Sequence, residues 1–161
     1  MSKRNTHVAQ SFKYALNGLV YAFRYERNMR IHTLIAVLIL CFAYVYGISR
    51  AEWAILVLTC FFTVICEMIN TAIEYCVDTA TTQYNEYAKL AKDVAAGAVF
   101  MSAIVAIVVG ITLFGNVEKI ISTLKTVFTD PFYAITFFVL TFAGLLFIFK
   151  LKPEDWKEKK H

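Results

Sequence analysis

The chain is 161 residues long, 59% hydrophobic, with 16 basic and 12 acidic residues and a net charge of +4. That is too apolar for an ordinary soluble domain, where about half is usual. Nor does it show the basic stripe with interleaved aromatics of a nucleic-acid surface, so no nucleic-acid partner is expected.

The arrangement of the apolar residues decides the class. Ile31–Ser49, Val94–Val117 and Pro131–Phe149 hold no formally charged residue, and Trp53–Val77 none before Glu67. Each is near the ~20 residues needed to cross a bilayer. The reading is an all-α integral membrane protein: an N-terminal amphipathic surface helix, three core transmembrane helices and a fourth, C-terminal one.

Residues 8–25 have helical periodicity. Val8, Phe12, Leu16, Leu19, Val20 and Phe23 take one side, and Gln10, Lys13, Tyr14, Asn17, Tyr21 and Arg24 the other. Such a helix lies in the membrane interface, either as an anchor or with its polar face roofing a site. Its amphipathic pattern, with no small-residue cleavage site after a short apolar core, argues against a signal peptide. Arg24–His32 then places Arg24, Arg27 and Arg30 just before the first span, with Glu26 as an acid against the charge bias.

Gly47–Glu52 is short enough only for a tight turn, so the first two spans form an antiparallel hairpin. The second span ends in Glu67-Met-Ile-Asn-Thr-Ala-Ile-Glu-Tyr-Cys-Val-Asp78. On a helix, Glu67, Asn70, Glu74 and Asp78 fall within an arc of roughly 80°. Glu67 lies about 21 Å past Trp53 and so inside the far boundary of a ~30 Å core. An acid at that depth marks a functional site by default, the alternative being a polar seam between helices.

Thr79–Ala91 reads as a cytoplasmic connection in which Gln83, Tyr84, Asn85 and Glu86 can hydrogen-bond a soluble ligand, with Lys89, Lys92 and Asp93 at the mouth of the third span. Within that span Ala98, Ser102, Ala106 and Gly110 form a small-residue ladder suited to close helix packing or oligomer contact. Asn116–Asp130 reads as a polar external connection without a motif, and Lys150–His161 as a charged tail with Trp156 at the interface. Cys41, Cys60, Cys66 and Cys76 lie within apolar spans, with no Cys-x-x-Cys pair, and read as small packing residues.

The twelve-residue block fits E-x-x-N-[ST]-[AS]-[IL]-E-x-x-V-D, carried by Glu67, Asn70, Thr71, Ala72, Ile73, Glu74, Val77 and Asp78. This resembles the signature of the small prokaryotic integral-membrane kinases, diacylglycerol kinase and undecaprenol kinase. Lys92-Asp93 before Ala95-Ala96-Gly97-Ala98, and Glu26-Arg-Asn-Met-Arg-Ile-His32, extend the resemblance over roughly residues 5–115. It implies ATP-dependent phosphorylation of a membrane lipid alcohol by residues 1–117, with 118–161 an added transmembrane helix and cytoplasmic tail.

The resemblance also implies roles. Glu67 is the catalytic base, and Glu26 and Glu74 bind the Mg²⁺ of MgATP. Tyr14, Glu26, Glu74, Gln83, Tyr84, Asn85, Lys92 and Asp93 contact ATP, while Asn70 and Asp78 are supporting polar residues. A homotrimer with sites between subunits is implied as well. Gln83 and Asn85 stand where Gram-negative diacylglycerol kinases carry an acid and a histidine, and the fourth span is a departure from the three-span core. The Arg-Asn-Met-Arg-Ile-His segment and the Ala-Ala-Gly-Ala run resemble the undecaprenol kinases more, with diacylglycerol the alternative acceptor.

The residues agree with that chemistry on their own terms. No Walker A or G-x-G-x-x-G motif occurs, so standard soluble nucleotide folds are excluded. Phosphoryl transfer needs charge neutralisation, a cation on the transferring group and a base near the acceptor hydroxyl. Mg²⁺ takes one or two carboxylates with phosphate oxygens and water. Glu26 and Glu74 can supply the carboxylates, Lys92 a phosphate contact and Glu67 the base. A small channel or ion-coupled transporter is the reading from another class, but its site belongs near the midplane rather than at one face.

Residues 1–32 hold six basic residues against Glu26 alone, a balance of +5, and the tail after Phe149 has five lysines against three acids. The positive-inside rule then puts both termini in the cytoplasm, with the basic excess meeting anionic headgroups of a bacterial cell membrane. Cysteine labelling at position 159 should report the cytoplasmic side; labelling from outside would remove one crossing.

Overall fold

A computed structural model describes residues 3–150, and the side chains of 8–149. The expected charged tail with Trp156 lies outside the described residues. Those described form six α-helices and no strand: α1 Lys3–Tyr25, α2 Arg27–Tyr46, α3 Arg50–Ala80, α4 Glu86–Leu113, α5 Val117–Thr129 and α6 Pro131–Lys150. Four are long and apolar enough to cross a membrane: α2, α3, α4 and Pro131–Phe149 of α6.

The hairpin between α2 and α3 is tighter than Gly47–Glu52. Gly47 closes α2 in the left-handed region (φ 72°), its N–H donating to the Ala43 carbonyl at 3.0 Å. Glycine takes that conformation without a Cβ penalty. Two residues later Ser49 opens α3 with a capping box: its hydroxyl accepts from Glu52 N–H, and the Glu52 carboxylate accepts from Ser49 N–H at 2.7 Å.

The lengths then set the membrane register. With 31 residues, α3 is about 46 Å long, against a hydrocarbon core of about 30 Å. Counted from the capped end, that thickness is used up at about Ile69. Glu67 therefore falls just inside, Asn70 at the margin, and Glu74 and Asp78 in the overhang. Packing of α3 on α4 is the most extensive in the molecule. The buried residues of these two helices are Leu56, Thr63, Glu67, Asn70 and Thr71 of α3 and Ala95 and Ser102 of α4. Of the small-residue ladder Ser102 is fully buried, its hydroxyl donating to the Val99 carbonyl at 2.7 Å, whereas Ala98 is exposed.

The stretch Asn116–Asp130 is not an irregular connection. It contains α5, capped by the Asn116 side chain, which accepts from Lys119 N–H at 2.9 Å. Thr123 and Val127, with half-buried Ile120 one turn before, share a face at helical spacing and pack on α2 and α6. Lys119 sits over the Tyr46 ring at 4.2 Å and donates to the Gly47 carbonyl at 3.3 Å, fastening α5 to the far end of α2. Phe114 closes the same end against Phe42 and Tyr46. From there α6 returns along α2 to where α2 begins.

Helix α1 is present as the periodicity predicts, but within one chain most of it is unpacked. Val8, Phe12, Leu16 and Val20 are exposed, and so are Gln10 and Lys13 opposite. Packing begins at the last turn, where Ala22 is buried.

Candidate active site

The break between α1 and α2 falls on Glu26. Its backbone is extended (φ −95°, ψ 116°), and its carboxylate does not cap α2. An acid at an N-cap ordinarily accepts from the helix N–H groups, so this side chain is committed elsewhere. It accepts a hydrogen bond of 2.7 Å from the Tyr75 hydroxyl of α3, which in turn accepts one of 3.1 Å from Tyr21 of α1. The two tyrosine rings meet edge to face at 5.7 Å. Three helices are thereby tied together at the acid.

The stripe on α3 meets the same place. Glu67 is 2% exposed, and the side chain of Asn28, two residues past Glu26, lies near its carboxylate. Asn70 donates to Glu74 at 2.8 Å, one turn along. Its own carbonyl oxygen is buried without a hydrogen-bond partner among the described residues. Two of the three acids are thus held by a neutral donor, Glu74 by Asn70 and Glu26 by Tyr75.

No salt bridge among the described residues reaches Glu26, Glu67 or Glu74. The nearby cations are engaged otherwise, Arg24 over the Tyr25 ring and Arg27 over the Phe149 ring. No cation among the described residues therefore compensates the group. Among the described residues no three Asp, Glu, His or Cys side chains form a metal cage. Two carboxylates left uncompensated beside a buried, unsatisfied amide oxygen fit instead a Mg²⁺ ion that keeps phosphate and water ligands.

One turn beyond Glu74, Asp78 forms an ion pair with Lys92 of α4. The pair borders an open cleft of about 340 Å³, lined also by Thr81, Gln83, Tyr84, Asn85 and Lys89. The connection is shorter than expected, since α3 runs to Ala80 and α4 starts at Glu86. Asn85 caps α4, accepting from Tyr87 and Ala88 N–H groups at 2.9 and 3.1 Å. Gln83 N–H donates to the Thr81 hydroxyl, while Tyr84 stands 81% exposed over the cleft. Asp93 is exposed at the start of α4.

The chain therefore brings together Glu26, Glu67, Asn70 and Glu74, and beside them Asp78, Lys92 and the Gln83–Asn85 loop. Tyr14 stands apart, exposed on α1 three turns before the elbow. Asn28 and Tyr75 were not singled out from the sequence. Tyr75 lies off the acidic arc, and its signal was a hydroxyl beside Glu74 at the end of an apolar helix. Asn28 was hidden in a cluster read as charge bias.

Tyr75→Phe removes both hydroxyl links at the elbow and keeps the ring. The expected loss is about 1–2 kcal/mol, as for a hydrogen bond to a charged group, read by detergent-induced unfolding. An unchanged unfolding midpoint would show that the bridge does not support the fold.

Residues 13–114 match the family described as Prokaryotic diacylglycerol kinase. A protein of Synechocystis named Diacylglycerol kinase is 46% identical over 101 residues, covering 62% of this chain and 58% of that protein. The Undecaprenol kinase of Bacillus subtilis is 36% identical over 105 residues, 65% of this chain and 85% of its own length. The Diacylglycerol kinase of Escherichia coli K12 is 32% identical over 106 residues, 64% of this chain and 84% of its own length. No solved structure matches significantly. The matched stretch begins just before Tyr14, ends at Phe114 and takes in the whole acidic group with its loop, and this membrane protein belongs to the prokaryotic diacylglycerol kinase family.

Proposed function

We propose that the protein phosphorylates a membrane lipid alcohol with ATP, at the site formed by Glu26, Glu67 and Glu74 and the cleft beside them. The observation that carries this reading is an uncompensated carboxylate group at one end of the bundle. Its deepest member, Glu67, is buried, and one turn beyond its outermost, Glu74, the Asp78–Lys92 pair borders an open cleft. A lipid hydroxyl arrives from one side and a nucleotide from the other. A transporter site at the midplane would not be arranged this way.

The roles follow depth. Buried Glu67, with Asn28 near it, takes the proton of the lipid hydroxyl as its oxygen attacks the γ-phosphorus and ADP leaves. Glu26 and Glu74 would hold Mg²⁺, which when bound neutralises charge on the phosphate oxygens. Tyr75 and Asn70 orient those two carboxylates. Lys92, held by Asp78 at the cleft, meets phosphate, and Gln83, Tyr84, Asn85 and Asp93 meet the rest of the nucleotide.

The finer organisation is part of the proposal. Residues 1–117 form the kinase core and 118–161 an appended helix and tail. Helix α1 rests in the cytoplasmic interface, with both termini on that side, and α2, α3, α4 and α6 cross. The protein acts as a homotrimer with sites shared between subunits. That is supported by the exposed outer faces of α3 and α4, and by a Tyr14 that its own chain leaves in the open. Undecaprenol is the proposed acceptor, from the Arg27–His32 segment and the Ala95–Ala98 run. Diacylglycerol is the second reading, favoured by the name of the 46% identical Synechocystis relative. Purified protein with ATP and both lipids side by side tests this: phosphate should appear on undecaprenol faster than on diacylglycerol. Transfer to neither would end the kinase reading.

Two substitutions separate the base from the metal ligands. Glu67→Gln should lower turnover by about 10²–10⁴-fold, the usual contribution of a general base, and leave MgATP affinity nearly intact. Glu74→Gln should weaken both, with a higher Mg²⁺ requirement. If Glu67 serves only packing, its loss lowers thermal stability and ATP binding together; near-normal turnover in folded Glu67→Gln removes it from the mechanism.

A further inference from the structure

The family match stops at residue 114, before α5 and α6. Yet α6 ends against the segment that carries Glu26. Arg30, in the first turn of α2, is 2% exposed. Its guanidinium donates to the carbonyl of Arg24, in the last turn of α1, at 3.5 Å, and to that of Phe147, near the end of α6, at 3.4 Å. It also lies over the Phe147 ring at 5.8 Å, and Arg27 lies over the Phe149 ring at 5.6 Å. The last carbonyls of a helix carry partial negative charge and lack intrahelical partners. One buried arginine thus holds a carbonyl from each of two helices at once, both bonds leaving one nitrogen of a planar fork that lies over the Phe147 ring.

Two further observations make this a specific seat. A Cβ on Gly144 would lie 2.2 Å from a methyl of Leu34, so any side chain there has to displace Leu34 from the seam between α6 and α2. Glu26 sits four residues before Arg30, whose N–H donates to the Glu26 carbonyl at 3.4 Å. A shift of Arg30 is therefore transmitted to the backbone that bears the carboxylate.

We propose that α6 is a brace for the elbow: by giving the Phe147 carbonyl to Arg30 it fixes the break at Glu26, and so positions that carboxylate toward the nucleotide. Arg30 and the Gly144 seat are positioning elements rather than catalytic ones. The functional consequence rests on the proposed role of Glu26, whereas the mechanical link does not.

The test uses the full chain. Gly144→Val wedges α6 off α2 at a distance from the acids, and Arg30→Lys keeps the charge without the fork. Both should raise KM for MgATP about tenfold, within what displacement of a positioning group typically causes. Turnover at saturating MgATP and KM for the lipid should stay near wild type. Adding Leu34→Ala to Gly144→Val should restore KM by making room for the new side chain. Amide exchange of residues 24–30 should speed up in both single variants and return in the double variant.

A merely structural helix would lower apparent turnover with the folded fraction and leave both KM values unchanged. Unchanged elbow exchange in folded Gly144→Val and Arg30→Lys overturns the proposal. So does faster exchange with an unchanged KM for MgATP in an active enzyme. If the wild type transfers no phosphate, the kinase reading falls, and exchange alone decides whether the brace exists.

Discussion

Three carboxylates gathered at the edge of a hydrocarbon layer constrain everything around them, because each needs a donor and none can be neutralised without losing its use. At the centre of a spanning helix a charged side chain costs about 3 kcal/mol on the insertion scale, and less toward the ends. The chain meets this by placing Glu67 just inside the boundary and Glu74 in the overhang of a helix longer than the membrane is thick. It supplies neutral donors from Asn70 and Tyr75 to Glu74 and Glu26. Arginine or lysine at those places would have satisfied the acids more strongly and closed them to a metal ion. Lys92 is likewise kept off the three acids, paired with Asp78 a turn further out.

The elbow at Glu26 has no glycine or proline to make it. Tyr25-Glu26-Arg27 would continue a helix on local propensity, and the break exists because tertiary contacts outweigh that preference. Tyr75 pulls the side chain toward α3, and Arg30 holds the Arg24 carbonyl of α1 from below. A capping role would have tied the Glu26 carboxylate to the start of α2. Leaving it out of the cap is what turns a helix junction into part of a site.

Much of this was legible because periodicity survives in sequence. The arc of Glu67, Asn70, Glu74 and Asp78 follows from 3.6 residues per turn, and the structure buries its inner half while its outer end meets Lys92. The spans followed from uncharged runs. What escaped depends on contacts between segments. Tyr75 falls about 60° outside the arc and matters only because Glu26 arrives opposite it. Asn28 was outweighed by three arginines nearby. Helix α5 was read through Glu118, Lys119, Lys125 and Asp130, all exposed, while the face of Ile120, Thr123 and Val127 that seats it on α2 was passed over.

Helix lengths then explain why the site lies where it does. α2 and α6 are 20 residues each, about 30 Å, and run antiparallel with their ends level. α3 and α4, with 31 and 28 residues, stand about 12–16 Å taller. Since α3 is capped close against α2 at Ser49, the excess accumulates at the opposite end. The bundle therefore has a step there, with the Gln83–Asn85 loop at its top and Glu26 and Arg30 at its foot. The acidic stripe descends the riser between them. A soluble phosphate donor and a lipid hydroxyl differ in depth by about that height, so a step of this kind lets each approach from its own phase. Because α5 and α6 pack on α2 and leave the outer faces of α3 and α4 exposed, the appended helices reinforce the foot of the step without covering the riser.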